Sequence, residues 1–158
     1  MIGNISRPRF KGRINQPGWG VRLLALVSLV LVACASSEQI TATDLWGRPS
    51  PGSATNAAFY GTILNHGAEL EELVAADIEI CGQTELHKST LDENSVMSMQ
   101  HVEKIVIPPG EMIQLEPGGL HIMCIDRQAD LDPGDLIPIG LQFANFGELS
   151  VEAEIREQ

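Results

Sequence analysis

A histidine and a methionine stand two residues apart in the apolar segment Gly119–Ile125. In a β-strand, alternate side chains point to opposite faces. Three apolar residues of the segment would then face the core: Leu120, Ile122 and Cys124. His121 and Met123 would share the other face, where an imidazole nitrogen and a thioether sulfur lie side by side and could bind a metal ion. The alternative is a methionine that packs on a half-covered second face of the sheet.

His87 and Met99 extend this pattern of histidine and methionine. His87 follows Leu86 and should face opposite to it, and Met99 lies twelve residues later, beyond a predicted turn at 92–94. Strands before and after that turn could bring the two side chains together. Met97 and His101 would share the face of Met99 in a straight strand, so either could replace it. We expect Met97 to pack and His101 to lie at the surface.

The full spacing, in which His87, Met99, His121 and Met123 are separated by eleven, twenty-one and one residues, resembles the signature of the PCu(A)C periplasmic copper chaperones. The flanking segments resemble the same family: Asp44–Pro49, Asn56–Tyr60, Leu64–Gly67 and, most closely, Leu115–Met123. The family spacing selects Met99 over its neighbours. Lys88 departs from the family, which often has methionine there, and the chain ends without the histidine- and methionine-rich tail of many members.

The resemblance implies a cupredoxin-like β-sandwich that holds one Cu(I) near an exposed end through His87, Met99, His121 and Met123. Cu(I) is a soft ion that favours thioether and imidazole donors. Thioethers, unlike thiols, cannot form disulfides in an exported compartment. Zinc fits this donor set less well, because its usual ligands are cysteine, histidine and carboxylate.

Short apolar segments alternate with Gly/Pro-rich turns along residues 40–155, which predicts an all-β sandwich or barrel. The family resemblance implies the sandwich, with about eight or nine short, mainly antiparallel strands. The candidate strands are 40–47, 57–64, 84–89, 96–107, 112–115, 119–125, 136–144 and 149–155. Residues 68–76 are ambiguous between irregular structure and a strand. Met112 begins a strand and is expected in the core.

The first 33 residues have the character of an export signal. Five basic residues precede an apolar run, Leu23–Ala33, which is shorter than the roughly 20 residues that a membrane span needs. The run ends at Cys34 and resembles a bacterial lipoprotein signal. We therefore predict a signal peptide at 1–33, a lipidated Cys34 with a tether to residue 39, and a domain at 40–158, lipid-anchored on the periplasmic or cell-surface side.

Charge and cysteine content narrow the possible partners. All 21 acidic residues follow residue 33, against five basic ones, which argues against nucleic acid and anionic membrane surfaces as partners. Cys81 and Cys124 could form a disulfide or remain buried thiols. Neither belongs to a CxxC pair, so a thioredoxin-like role has little support.

The resemblance implies a chaperone that is not an enzyme. Its expected partners are the copper-bearing subunit of cytochrome c oxidase, a Sco-type protein, or both. One alternative is a protein that buffers copper without delivering it. Another, of a different class, is a redox enzyme that uses Cys81 and Cys124 or a cycling copper ion.

Overall fold

The computed structural model describes residues 39–51, 55–91, 93 and 96–157, all of which belong to the compact unit Ala35–Gln158. The predicted signal peptide, the lipidation site Cys34 and most of the tether lie outside these residues. Within the described part, no helix has both the length and the hydropathy that crossing a membrane requires.

Ten β-strands make up the described secondary structure. They are β1 (Ile40–Pro49), β2 (Ala57–Asn65), β3 (Glu71–Asp77), β4 (Cys81–Leu91), β5 (Met97–His101), β6 (Ile105–Ile107), β7 (Met112–Leu115), β8 (Leu120–Arg127), β9 (Leu136–Phe143) and β10 (Gly147–Ile155). The prediction of an all-β fold is confirmed, with ten strands instead of eight or nine.

The strands form one hydrogen-bonded ladder in the order β5-β4-β8-β7-β2-β1-β10-β9-β3-β6. Most pairs are antiparallel, and the parallel ones are β1–β10 and β7–β8. The register of β1 shifts between Thr43 and Trp46, where Asp44 has a φ of 51°. At Trp46 and Gly47, β1 pairs with both β2 and β10, so it joins the two halves of the ladder.

One hydrophobic core lies between the two halves of the ladder, which are β5, β4, β8, β7 and β2 on one side of β1 and β10, β9, β3 and β6 on the other. It receives buried side chains from both, among them Phe59, Leu86, Ile122, Leu73, Leu141 and Ile155. The predicted parity of β8 is confirmed on its core side, because Ile122 and Cys124 are fully buried. Gly47 has no room for a side chain, since a Cβ there would lie 2.5 Å from the ring of Phe59.

Two of the predicted strands differ in the structure. The segment 68–76 contains a true strand, β3, which pairs with β6 and β9. The single strand expected at 96–107 is two strands, because β5 pairs with β4 whereas β6 pairs with β3 at the opposite end of the ladder. Met112 is 58% exposed, so its placement in the core was wrong.

A disulfide joins Cys81 at the start of β4 to Cys124 in β8, with the two Cα atoms 5.4 Å apart. The sequence left open whether these residues are bonded or free thiols, and the structure has the bond. Because β4 and β8 also pair by hydrogen bonds from Cys81 to Lys88, the disulfide fixes covalently the two strands that carry His87 and His121.

A buried carboxylate ties the start of β3 to the turn between β9 and β10. Glu71 is 6% exposed and accepts hydrogen bonds from the backbone amides of Glu72, Asn145 and Phe146 at 2.9, 3.0 and 2.8 Å. Burial alone would raise the pKa of Glu71, but these bonds outweigh it and lower the pKa below its ordinary 4.5.

Candidate metal site

Three histidines lie side by side across β5, β4 and β8. His87 of β4 is directly opposite His121 of β8 on one side and His101 of β5 on the other. The ring centroid of His87 lies 5.8 Å from that of His121 and 6.2 Å from that of His101. Cross-strand neighbours project from the same face of a sheet, so all three imidazoles belong to the face opposite Leu86 and Ile122.

The predicted methionine positions lie on the same face, at two different places. Met99 is opposite Ser89, and Met123 is opposite Glu85. Met99 is 58% exposed, whereas Met123 is half-buried. Both are two residues from a histidine of the row, which the period of a strand places on one face.

A cleft of about 240 Å³ opens beside this row. Its lining includes the side chains Arg48, Tyr60, Ser89, Met97, Met99 and His121. Met97 is 60% exposed and lines the cleft, so the expectation that it packs was wrong. His101 lies at the surface as expected.

The surroundings of His121 favour its neutral form. It is only 4% exposed, and its Nδ1–H donates a hydrogen bond of 3.1 Å to the carbonyl of Gly119. That tautomer leaves the lone pair on Nε2. Burial lowers the pKa of His121 below 6.5; the Gly119 carbonyl opposes this shift and the nearby His87 adds to it. A neutral imidazole is the form that binds metal ions.

His87 is held by its other nitrogen. Its Nε2 lies 2.6 Å from Oε2 of Glu85, and its Nδ1 is buried with no hydrogen-bond partner in the described part of the protein. When Nε2–H donates to the carboxylate, Nδ1 carries an unused lone pair. Buried polar atoms normally have a partner, so this unpartnered nitrogen is a candidate metal donor.

Glu85 is the residue that the sequence analysis missed. Its carboxylate also lies 3.8 Å from Nδ1 of His101, and one donor atom from each of Glu85, His87 and His101 falls within 4.8 Å of the others. The sequence contained a sign of this role, because Glu85 precedes His87 by two residues and residues two apart in a strand share one face.

Aromatic rings continue the face beyond His121. The Tyr60 ring lies 6.1 Å from His121 and 4.5 Å from Trp46, and the Arg48 guanidinium lies 5.7 Å above Tyr60. These side chains come from β2, which pairs with β8, and from β1, which pairs with β2. They form an aromatic wall next to the histidines, with one guanidinium over it.

The structure thus brings His87 and His121 together and sets Met99 and His121 on one cleft. Met123 shares the face but lies beside Glu85 and Ala58, away from the lining of that cleft. Which of these atoms bind an ion stays a prediction.

Residues 40–155 match a family model described as "Putative lipoprotein LpqE-like". The chain belongs to this LpqE-like family. A relative, "Putative lipoprotein Lxx21020" of Leifsonia xyli subsp. xyli (strain CTCB07), is 31% identical over 122 residues, which are 77% of this chain and 72% of that one.

Solved structures with the same fold include PCuAC domains and DR1885. The apo PCuAC domain from PmoF1 is 27% identical, with a TM-score of 0.65 over 76% of this chain and 95% of that one. The CuI form of DR1885 from Deinococcus radiodurans is 21% identical, with a TM-score of 0.61 over 78% and 84%. The predicted cupredoxin-like fold is confirmed, and the expected resemblance to PCu(A)C proteins agrees with these neighbours.

Proposed function

We propose that this LpqE-like protein is an exported, lipid-anchored metallochaperone that carries one Cu(I) on His87, Met99, His121 and Met123. One observation carries the proposal: two neighbouring imidazoles each have one nitrogen held by a hydrogen bond and the other left with a lone pair. They stand beside a cleft that two exposed methionines line.

The donor atoms suit the proposed cargo. His121 would bind through Nε2, because Nδ1 is held by Gly119, and His87 would bind through Nδ1, because Nε2 is held by Glu85. Two neutral imidazoles and two thioethers leave the site without charge, which favours a soft monovalent ion over Zn²⁺. No donor has to lose a proton when the ion binds.

Release by ligand exchange is supported by the exposure of Met99 on β5, one of the two edge strands of the described ladder. An incoming ligand from a partner could replace a thioether there while the histidines still hold the ion. The proposed recipient is the binuclear copper centre of cytochrome c oxidase, reached directly or with a Sco-type protein. PCuAC domains and the CuI form of DR1885 among the structural neighbours support the cargo.

The proposal involves no enzymatic turnover. Cys81 and Cys124 are joined in a disulfide, and Cys124 is fully buried on the core side of β8, away from the histidine face. A thiol redox enzyme needs an exposed, ionised thiol, so the structure gives that alternative no support.

The test is an anaerobic titration with Cu(I) against a competing chelator. The purified protein should bind one equivalent. Met99→Leu and Met123→Leu should each weaken binding by more than about tenfold, because loss of a residue that merely orients a metal ligand already costs about that much. Met112→Leu is the matched control, because Met112 and Met99 are both 58% exposed. No binding, or equal binding by all three variants, would refute the proposed ligand set.

Delivery is tested in cells that lack the gene. Loss of oxidase activity at low copper, restored by the wild-type protein and not by Met99→Leu, is the expected result. Sensitivity to added copper with normal oxidase activity would instead indicate buffering.

A further inference from the structure

The structure assigns Glu85, His87 and His101 to a second metal site, one for a divalent ion of intermediate softness such as Cu(II). This site shares His87 with the proposed Cu(I) ligands. The two sites should exclude each other, and this part of the inference rests on the proposed function, in which His87 binds Cu(I). The divalent site itself does not depend on it.

The geometry is already close to that of a bound ion. The donor atoms of Glu85, His87 and His101 lie within 4.8 Å of one another. Two donors at about 2.0–2.1 Å from one ion can be at most about 4.2 Å apart. Shifts on the order of 1 Å would therefore bring all three into a common coordination sphere.

The carboxylate is oriented for this role. Glu85 Oε1 accepts a hydrogen bond from the side-chain amide of Gln83, which leaves Oε2 facing both His87 and His101. The side chains of Glu85 and His87 are 23% and 15% exposed, and that of His101 is 57% exposed. The pair is thus held in place while the third ligand stays open to solvent, from which an ion can arrive.

The chemistry of the donors selects the ion. Two imidazoles and a carboxylate suit Cu(II) and Zn(II), and Cu(II) binds most tightly in the divalent series. The negative charge of Glu85 favours a doubly charged ion, whereas the proposed Cu(I) ligands are all neutral. The two donor sets therefore discriminate between the oxidation states of one metal.

Sharing of His87 makes the two sites exclusive. Its Nε2 faces Glu85 and its Nδ1 is the unpartnered nitrogen. A neutral imidazole has only one lone pair for a metal, because its other nitrogen carries a proton. An ion bound at Nε2 places that proton on Nδ1 and removes the lone pair that the Cu(I) site would use.

A simpler explanation is that Glu85 only orients His87 for Cu(I), as carboxylates often do for histidine ligands. The two explanations differ at His101, which a purely orienting Glu85 does not need.

The experiment is a titration of the purified protein with Cu(II), followed by electron paramagnetic resonance and calorimetry.

We expect one Cu(II) with two nitrogen ligands, and a loss of affinity of more than about tenfold in both His101→Ala and Glu85→Gln. His66→Ala is the matched control, since His66 lies elsewhere and bonds to Thr41. His101→Ala should keep its Cu(I) affinity, and Met123→Leu should keep its Cu(II) affinity. Unchanged Cu(II) binding in His101→Ala and Glu85→Gln overturns the inference.

Exclusion is tested with Ag(I), a soft monovalent ion that does not change oxidation state with Cu(II). Protein loaded with one Ag(I) should not show the Cu(II) spectrum of this site, and an undiminished spectrum overturns the shared use of His87. The two hypotheses can fail separately. Loss of the methionine dependence of Cu(I) binding removes the proposed function only, and loss of the His101 dependence of Cu(II) binding removes this site only.

Discussion

Changing both Cys81 and Cys124 to alanine should destabilise the fold by about 4 kcal/mol. The bond closes a chain segment with a sequence separation of 43 residues. In the loop-entropy model a loop of that length restricts the unfolded chain by about 13 cal/mol/K, which is about 4 kcal/mol at 25 °C. A domain of ordinary stability, about 5–15 kcal/mol, would lose a large part of its margin.

Urea unfolding measures this loss. With a slope of about 1.5 kcal/mol per molar urea, the midpoint of the double variant should fall by about 2.7 M. Reduced wild-type protein should unfold at nearly the same midpoint as the double variant, and reductant should leave the double variant unchanged.

The same variant separates stability from metal binding. Because the disulfide lies on the core side of β8, the folded double variant should keep the Cu(I) affinity of the wild type. A midpoint that neither the substitutions nor the reductant changes would show that the bond is absent or that the unfolded chain gains nothing from its removal. Either result would refute the loop-entropy reasoning.

Three further predictions concern protonation and packing. Glu71→Gln should lose about 1–3 kcal/mol at pH 7, because a neutral amide replaces a carboxylate that accepts several N–H bonds. Since the folded pKa of Glu71 lies below 4.5, the wild type should lose this advantage as pH falls from 4.5 through the lowered pKa, and urea midpoints measured against pH would show the two proteins converging. The folded pKa of His121 lies below 6.5, so its contribution to stability should decrease as pH falls below 6.5 and the unfolded chain takes up the proton. Protonation of this ring in acidic titrations removes the lone pair that would bind the ion, so Cu(I) affinity should weaken there. Gly47→Ala should lower stability by about 1–3 kcal/mol in thermal unfolding, because its Cβ would collide with the buried ring of Phe59, and an unchanged melting temperature would show that the ring can move.

Local sequence patterns predicted the histidine-bearing strands well. The alternation around His121 is a property of a few adjacent residues, and the structure reproduces it with Ile122 buried on the other face. Leu86 and His87 behave in the same way. A period of two needs no knowledge of distant contacts, which is why these positions could be assigned from the sequence.

Features that depend on distant pairing could not be predicted in the same way. The segment 96–107 is apolar enough for one strand, yet its two ends pair with β4 and β3 at opposite ends of the ladder. The exposure of Met97 follows from the position of β5 at the edge, which hydrophobicity does not encode. Glu85 was missed because its importance depends on His101 from the next strand.

The strands of the candidate site differ in how firmly they are fastened. The histidine strands β4 and β8 are joined by a covalent bond, whereas β5, with all five residues exposed, has β4 as its one partner among the described strands. Local opening costs least where a strand has one neighbour and little buried surface, so amide protons of β5 should exchange with solvent well before those of β8. An ion bound by both groups would therefore be held firmly by the imidazoles of β4 and β8 and less firmly by the thioether of Met99 on β5. The rate at which the ion dissociates would then depend on how often β5 opens.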